Sequence, residues 1–365
     1  MELVINTYGA YLRKNGECFV VKAEDKEQEI SVRKVTSIMI TTSALISTDA
    51  IKLALDHNVD IIFLDDFGNP IGRVWHCKLG STVAIRRTQL SIADSADALS
   101  LVIEWITQKL QNQVDLINRL KKPRIDKTTE LDKAIKALEA TIEKLSAITG
   151  SIDQHRNTIM GLEGNAGRIY FETISLILPD RFKFQLRSRN PAKDEFNAML
   201  NYAYGILYSL VEKGCIIAGL DPYIGFLHTD NYSKKSLVFD IIEQFRIYAD
   251  EPVVYLFTGR HVKTEYFDKV KDGMTLNKGG KQCLIKAFQE HLDGSIRYKG
   301  RNIQRNNIIQ LECHAIANGL LANGAPGNGS LADGSLNQAA PALPDTTPGD
   351  EFLDVTTNPE GQTSD

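Results

Sequence analysis

No stretch of the chain approaches the ~18 consecutive apolar residues that a membrane helix requires, so no membrane partner is expected. The opening residues Met1-Glu2-Leu3-Val4-Ile5 carry no basic segment followed by an apolar one, so no secretory signal is expected either. Cysteine is scarce: Cys18, Cys77, Cys215, Cys283 and Cys313 are odd in number and far apart. That argues against a disulfide framework and for a reducing compartment. There is no Gly-x-Ser-x-Gly for an acyl nucleophile. Lys278-Gly279-Gly280-Lys281 lacks the spacing of a phosphate loop. A strong charge imbalance is also missing, with 42 Lys+Arg against 46 Asp+Glu. The net charge of −4 is unevenly spread, because residues 324–365 hold seven acids and no Lys or Arg, leaving +3 for residues 1–323. That mild excess is compatible with a nucleic-acid partner without arguing for one.

What is present is 365 residues of ordinary globular composition, enough for roughly two domains. Residues 1–90 read as a small β-rich domain. Leu3-Val4-Ile5 starts it; a hairpin turns at Asn15-Gly16; residues 30–40 alternate and then become apolar; Asp60-Ile61-Ile62-Phe63-Leu64 is a buried strand, and Ile71-Gly72-Arg73-Val74-Trp75 follows a turn. One helix, residues 47–57 with Ser47 or Thr48 as cap, interrupts the strands. From residue 91 to 321 the period becomes helical. Leu99, Val102, Ile106, Leu110, Leu116 and Leu120 trace one long helix, and Leu131, Ile135, Leu138, Ile142 and Leu145 a second, with Thr129 and Asp132 as a capping pair. A third carries Phe196, Met199, Leu200, Ala203, Leu207 and Val211 between Pro191 and Gly214, and residues 281–321 read as helical. The expected fold is α+β: a β-rich N-terminal domain, an all-α domain, and an acidic Gly/Pro-rich tail over residues 322–365 that is too poor in apolar groups to offset its ordering entropy.

Three stretches of the helical half can carry chemistry. Gly161-Leu162-Glu163-Gly164-Asn165-Ala166-Gly167-Arg168 places three glycines in a helix at roughly 1 kcal/mol each, a cost usually explained by close approach of a backbone or a ligand. Gly219-Leu220-Asp221-Pro222-Tyr223-Ile224-Gly225-Phe226-Leu227-His228 ends a turn and an apolar run on an imidazole. In Ser236-Leu237-Val238-Phe239-Asp240-Ile241-Ile242-Glu243-Gln244-Phe245-Arg246, Asp240 and Glu243 lie three apart on a helix, where such acids are usually solvated. The turn at Asn231-Tyr232-Ser233 would bring His228 back to them. Two carboxylates and one imidazole suit Mg²⁺ or Mn²⁺ and phosphodiester chemistry. His76-Cys77 and Cys313-His314 make no convincing zinc site, since neighbours on a strand point apart. Basic residues gather at Arg119, Lys121, Lys122 and Arg124 and at Arg297, Lys299, Arg301 and Arg305; beside a metal they would be phosphate contacts, with Tyr223, Tyr232 and Tyr298 available for stacking.

These three stretches, together with Tyr170-Phe171 and Asn201-Tyr202-Ala203-Tyr204-Gly205-Ile206-Leu207, occur in an order that resembles the CRISPR-associated endonuclease and integrase of the spacer-acquisition module, the Cas-one family. The resemblance spans residues 1 to about 320. It implies a homodimer, assembled through the N-terminal domain and joined by a small partner subunit, acting on double-stranded or branched DNA. It implies that short foreign fragments are inserted into a CRISPR array by 3′-hydroxyl attack on a phosphodiester. By motif, Glu163, His228 and Glu243 would be metal ligands, with Asp240 an adjacent catalytic acid and Arg168 and Arg246 near the nucleic acid. The last acid is often Asp in that family and is Glu here; the acidic tail is no part of the pattern. A catalytically silent DNA-binding scaffold of the same fold is the alternative, and a metallohydrolase of small phosphorylated substrates a third reading.

Overall fold

A computed structural model of the chain describes residues 2–24, 26–65, 67–68, 70–74, 82–189, 191–228 and 234–323. The His76-Cys77 pair, Trp75, the 231–233 turn with Tyr232, and residues 324–365 of the expected tail lie outside the described residues. The described chain divides into two units, one of residues 2–63, 72–74 and 319–323, the other of residues 64–71 and 82–318.

The first unit holds two four-stranded sheets. One is antiparallel at its centre: β2 (Tyr11–Asn15) and β3 (Cys18–Ala23) pair across a turn at Gly16, whose φ of +55° suits a residue without Cβ. β4 (Lys26–Ser31) continues it. The other sheet has the order β1 (Glu2–Ile5), β5 (Ser37–Ile40), β7 (Asp60–Leu64), β8 (Pro70–Val74), with β1, β5 and β7 parallel. Parallel neighbours need a crossover, and α1 (Thr48–Asp56) supplies it, capped by Ser47, whose hydroxyl accepts from Ala50 N at 3.2 Å. A short strand β6 (Leu45–Ile46) lies against β2 before α1. Leu3, Leu12, Phe19, Val21, Ile38, Leu53 and Ile61 form one core beneath both sheets and α1. Residues 30–40 are not one strand: after β4 the chain makes a 3-10 turn at Val32–Lys34 that moves it from one sheet to the other.

The second unit is mostly helical. α2 (Thr82–Ile92), α3 (Ala96–Lys121), α4 (Thr128–Ser146) and α5 (Ile152–Ile177) are followed by α6 (Glu195–Ala218), α7 (Ser236–Ile241) and α8 (Ile247–Thr258). It is not all-α. The hairpin β9 (Phe267–Val270) with β10 (Gly273–Leu276) precedes α9 (Lys278–Asp293), and β11 (Ser295–Tyr298) with β12 (Arg301–Gln304) interrupts residues 281–321 before α10 (Arg305–Asn323). Lys299 and Gly300, both at positive φ, make the second turn, and Asp272, also at positive φ, sits in the first. Such four-residue strands are too short to overrule a helical period in the sequence, but their turn dipeptides are readable. α10 also carries residues 322 and 323, which were expected to open the tail.

Two helix ends differ from expectation. α6 begins after Asp194, which accepts from Asn197 N at 2.8 Å, and closes at Gly219, which is left-handed at φ +82°. Gly214 instead sits inside α6, where a Cβ would come within 2.9 Å of Cys313 Sγ. α4 has no side-chain cap because the 3-10 turn Ile125–Lys127 runs straight into it; Asp132 pairs with Lys121 at 2.6 Å instead.

Leu12 is fully buried at the centre of the first unit's core. Leu12→Ala is therefore expected to destabilise that unit by about 2–5 kcal/mol, read as a lower urea midpoint for its unfolding transition.

Candidate metal and nucleic-acid site

α3 presents Val102, Ile106, Gln113, Leu116 and Leu120 inward at alternating steps of three and four, and Lys109 falls on the same phase. Its side chain is 6% exposed. The ammonium donates to Glu163 Oε1 from the middle of α5 and, at 2.5 Å, to Glu243 Oε2 from the 3-10 turn Ile242–Phe245 that follows α7. Glu243 Oε1 accepts from Arg246 Nε at 2.8 Å and Nη2 at 2.6 Å. Acids three apart on a helix are usually solvated, but Glu243 is buried with both oxygens in use. Burial alone would raise its carboxyl, but Arg246 and Lys109 outweigh that and hold it well below the ordinary carboxylate range. Burial would likewise lower Lys109, but Glu243 and Glu163 reverse the direction and raise it.

Asp240 does not face the same way. It is 2% exposed and accepts from Phe226 N at 2.6 Å, Leu227 N at 3.1 Å and His228 N at 3.1 Å, while His228 Nδ1 lies 2.6 Å from its Oδ1. A carboxylate only accepts, so the ring's Nδ1 carries a proton. Asp240 thus positions His228. The 219–228 loop is fastened at two more points. Arg156 Nη1 donates to the carbonyls of Phe226 and Leu227, at 2.6 and 2.5 Å, and the Gln89 side chain accepts from Asp221 N at 2.9 Å while donating to its carbonyl at 3.2 Å.

Glu163, His228 and Glu243 all line one open cleft of about 900 Å³, with Lys109 and Arg246. Among the described residues, however, no three His, Cys, Asp or Glu side chains are gathered closely enough to hold one ion. The pair of acids meets on Lys109, and His228 lines the same cleft.

Gly164 and Gly167 also line the cleft. A Cβ at Gly161, Gly164 or Gly167 would meet nothing within 4 Å among the described residues, so none of those residues approaches closely enough to require glycine. They leave the side of α5 next to Glu163 bare.

The cleft is rich in arginine: Arg156, Arg168, Arg187, Arg189 and Arg246 line it with Lys234. Arg168 is engaged by Glu172 at 2.8 Å. Arg187 is different. Its Nη1 donates to Ser188 O at 2.6 Å and Asn197 Oδ1 at 2.7 Å, and its guanidinium lies 5.5 Å from the Phe171 ring centre and 5.4 Å from that of Tyr204. No carboxylate among the described residues pairs with it, and burial pulls it down to about 10. Sequence reasoning did not single out Lys109 or Arg187. The signal for Lys109 was a charged residue at a core phase of α3.

Of the basic residues that were singled out, only Arg168 and Arg246 line the cleft. Lys121 is held by Asp132, Arg124 donates to Leu120 O at 2.7 Å, Lys299 pairs with Glu312 at 2.7 Å, and Arg305 donates to His291 O and Gly294 O at 3.0 Å each. Lys122, Arg297 and Arg301 are exposed elsewhere on the unit. Tyr223 and Tyr298 are not in the cleft wall either.

Comparison with known proteins decides the family. The family model for CRISPR associated protein Cas1 matches residues 3–290. The chain belongs to the Cas1 family. A CRISPR-associated endonuclease Cas1 of Archaeoglobus fulgidus is 34% identical over 329 residues, covering 87% of this chain and 95% of its own length. A second, of Saccharolobus solfataricus, is 29% identical over 314 residues, covering 86% and 92%. Among solved structures, a CAS1 protein from Thermotoga maritima has a TM-score of 0.74 at 21% identity, covering 90% of this chain and 100% of its own. A casposase bound to integration product has a TM-score of 0.76 at 21% identity, covering 88% and 91%. Both share the Cas1 fold described above. No described helix is long and apolar enough to cross a membrane.

Behind the site, Asp250 accepts from the Tyr204 hydroxyl at 2.5 Å, and the Tyr204 ring lies 4.7 Å from the Arg246 guanidinium. Burial pushes Asp250 up to about 6, against the opposing hydrogen bond from Tyr204 and charge of Arg246. An acid raised in this way keeps a proton in the folded state that the unfolded chain, near the ordinary ~3.9, has lost. Its contribution is complete below that value and fades as pH rises towards 6. The melting temperature of Asp250→Asn, relative to the unaltered protein, should therefore shift in the variant's favour from about pH 4 to about pH 6 and be flat above. Parallel thermal melts across that range test the sign.

Proposed function

We propose that this chain is a divalent-metal-dependent DNA endonuclease and integrase of CRISPR spacer acquisition, working as a homodimer with a small partner subunit. The observation that carries the reading is the convergence of two carboxylates from separate elements on one cationic point inside an open, arginine-lined cleft. The printed names of its relatives, endonuclease and casposase bound to integration product, agree with that chemistry.

The donor set fits Mg²⁺ or Mn²⁺, because two hard carboxylates already share a single cation and an imidazole lining the same cleft offers Nε2. Glu163 and Glu243 would hold the ion, with His228 as the third ligand. Such an ion supplies Lewis-acid stabilisation of charge on the phosphoryl and leaving oxygens. The chain's own residues do the rest. Asp240 keeps His228 in one tautomer and orientation, Arg246 fixes Glu243, and Arg187 and Arg168 meet backbone phosphates on either side. The bare flank of α5 admits the DNA. A 3′-hydroxyl attacking a phosphodiester in line exchanges one such bond for another, and water in its place gives cleavage.

One observation favours the silent scaffold: Lys109 already fills the space between the carboxylates. That reading predicts DNA binding without metal-dependent cleavage. The test is cleavage of branched DNA with Mn²⁺ or Mg²⁺, with and without EDTA. Glu163→Gln and His228→Ala are each expected to lower the rate by about 100-fold or more, and EDTA to abolish it. Activity surviving both substitutions would sink the site assignment. A small-substrate hydrolase is separated by salt: DNA affinity should fall by orders of magnitude between ~50 and ~200 mM, whereas binding of a small phosphate ester should change far less.

A further inference from the structure

Glu163, Glu243, Lys109 and Arg246 form a balanced set of two negative and two positive charges, three of them with side chains no more than 16% exposed. Oε1 of Glu243 accepts from two nitrogens of Arg246, and Oε2 accepts from Lys109. A divalent cation on the lone pair that remains at Oε2 would lie against the Lys109 ammonium, and like charges that close in a buried place cannot both stay. Arg246 is held as a two-pronged fork and lies against the Tyr204 ring, whereas Lys109 offers one atom on a flexible four-carbon stem. Lys109 is the group that yields.

The charge count then matters. Adding a dication to a neutral set leaves two surplus positive charges in a poorly solvated part of the cleft that already contains Arg187, with which no carboxylate among the described residues pairs. Such a surplus is unfavourable at low dielectric unless an anion arrives with it. A phosphodiester backbone along the cleft supplies that anion, and gives the released ammonium a new acceptor. From this geometry we propose that Lys109 is a positioning residue that makes divalent-cation loading conditional on DNA: it holds the two acids in register until a phosphate enters, then passes from the carboxylates to the phosphate oxygens. The inference rests on the metal reading given above and adds an order of binding to it.

The experiment measures Mn²⁺ affinity of the full chain by calorimetry, alone and with a branched DNA made cleavage-resistant by phosphorothioate linkages. For the unaltered protein, DNA should tighten Mn²⁺ binding by about 10-fold or more, within the usual span of coupling between two ligands. In Lys109→Met and Lys109→Gln, Mn²⁺ should bind more tightly without DNA, and the effect of DNA should shrink by about 5-fold. The glutamine variant keeps a donor between the acids should the methionine variant fold poorly, and the DNA dependence of the unaltered protein needs no variant at all. Equal Mn²⁺ affinity with and without DNA overturns the inference and leaves the metal reading intact, as does a DNA effect of the same size in all three proteins. No Mn²⁺ uptake by any form, with or without DNA, overturns the metal reading and this inference with it.

Discussion

A buried ammonium shared by two carboxylates sets the register of the helical unit. Lys109 comes from α3, Glu163 from α5 and Glu243 from the turn after α7, so one contact ties three segments that are far apart in sequence. Losing one partner of such a group leaves an uncompensated buried charge at about 3–5 kcal/mol, so the helices cannot slide past each other cheaply. The two acids are held together by a cation that the fold itself supplies.

The imidazole follows a different design. Asp240 spends its carboxylate on three backbone N–H groups and one ring nitrogen of the 226–228 segment, and the Trp105 ring stacks on Phe226 at 6.0 Å between centres. A loop would ordinarily be the softest part of such a site. Here it is fastened by an acid from α7, an arginine from α5 and a glutamine from α2. Among the described residues, nothing is bonded to the outer nitrogen of His228.

Much of this was readable in the residues. Short-range signals worked well: Asn15-Gly16 turned the first hairpin, Ser47 capped α1, and the leucine and isoleucine spacings marked α3 and α4. The order of β-rich and helical parts followed from the change of period. What failed depended on competition or on distance. The strand expected over 30–40 broke because two sheets each claimed half of it. The hairpins at 267–276 and 295–304 hid behind helical neighbours. Glu163, His228 and Glu243 could be named from their motifs and do share a cleft, but nothing local announced that Asp240 would turn away from Glu243. Nor could spacing reveal Lys109, since a lysine on an apolar stripe has meaning only once the acids of two other elements are placed around it. The basic runs at 121–124 and 297–305 were conspicuous in the sequence and lie outside the cleft wall, while Arg187, one residue among many, lies in it.

The glycines beside Glu163 invert a common rule of protein engineering. Exchanging a helical glycine for alanine usually strengthens a helix, and nothing among the described residues would obstruct the added methyls. Those methyls would nevertheless stand as a kerb along the groove, so a more heat-tolerant form of this chain has to be sought on other helices.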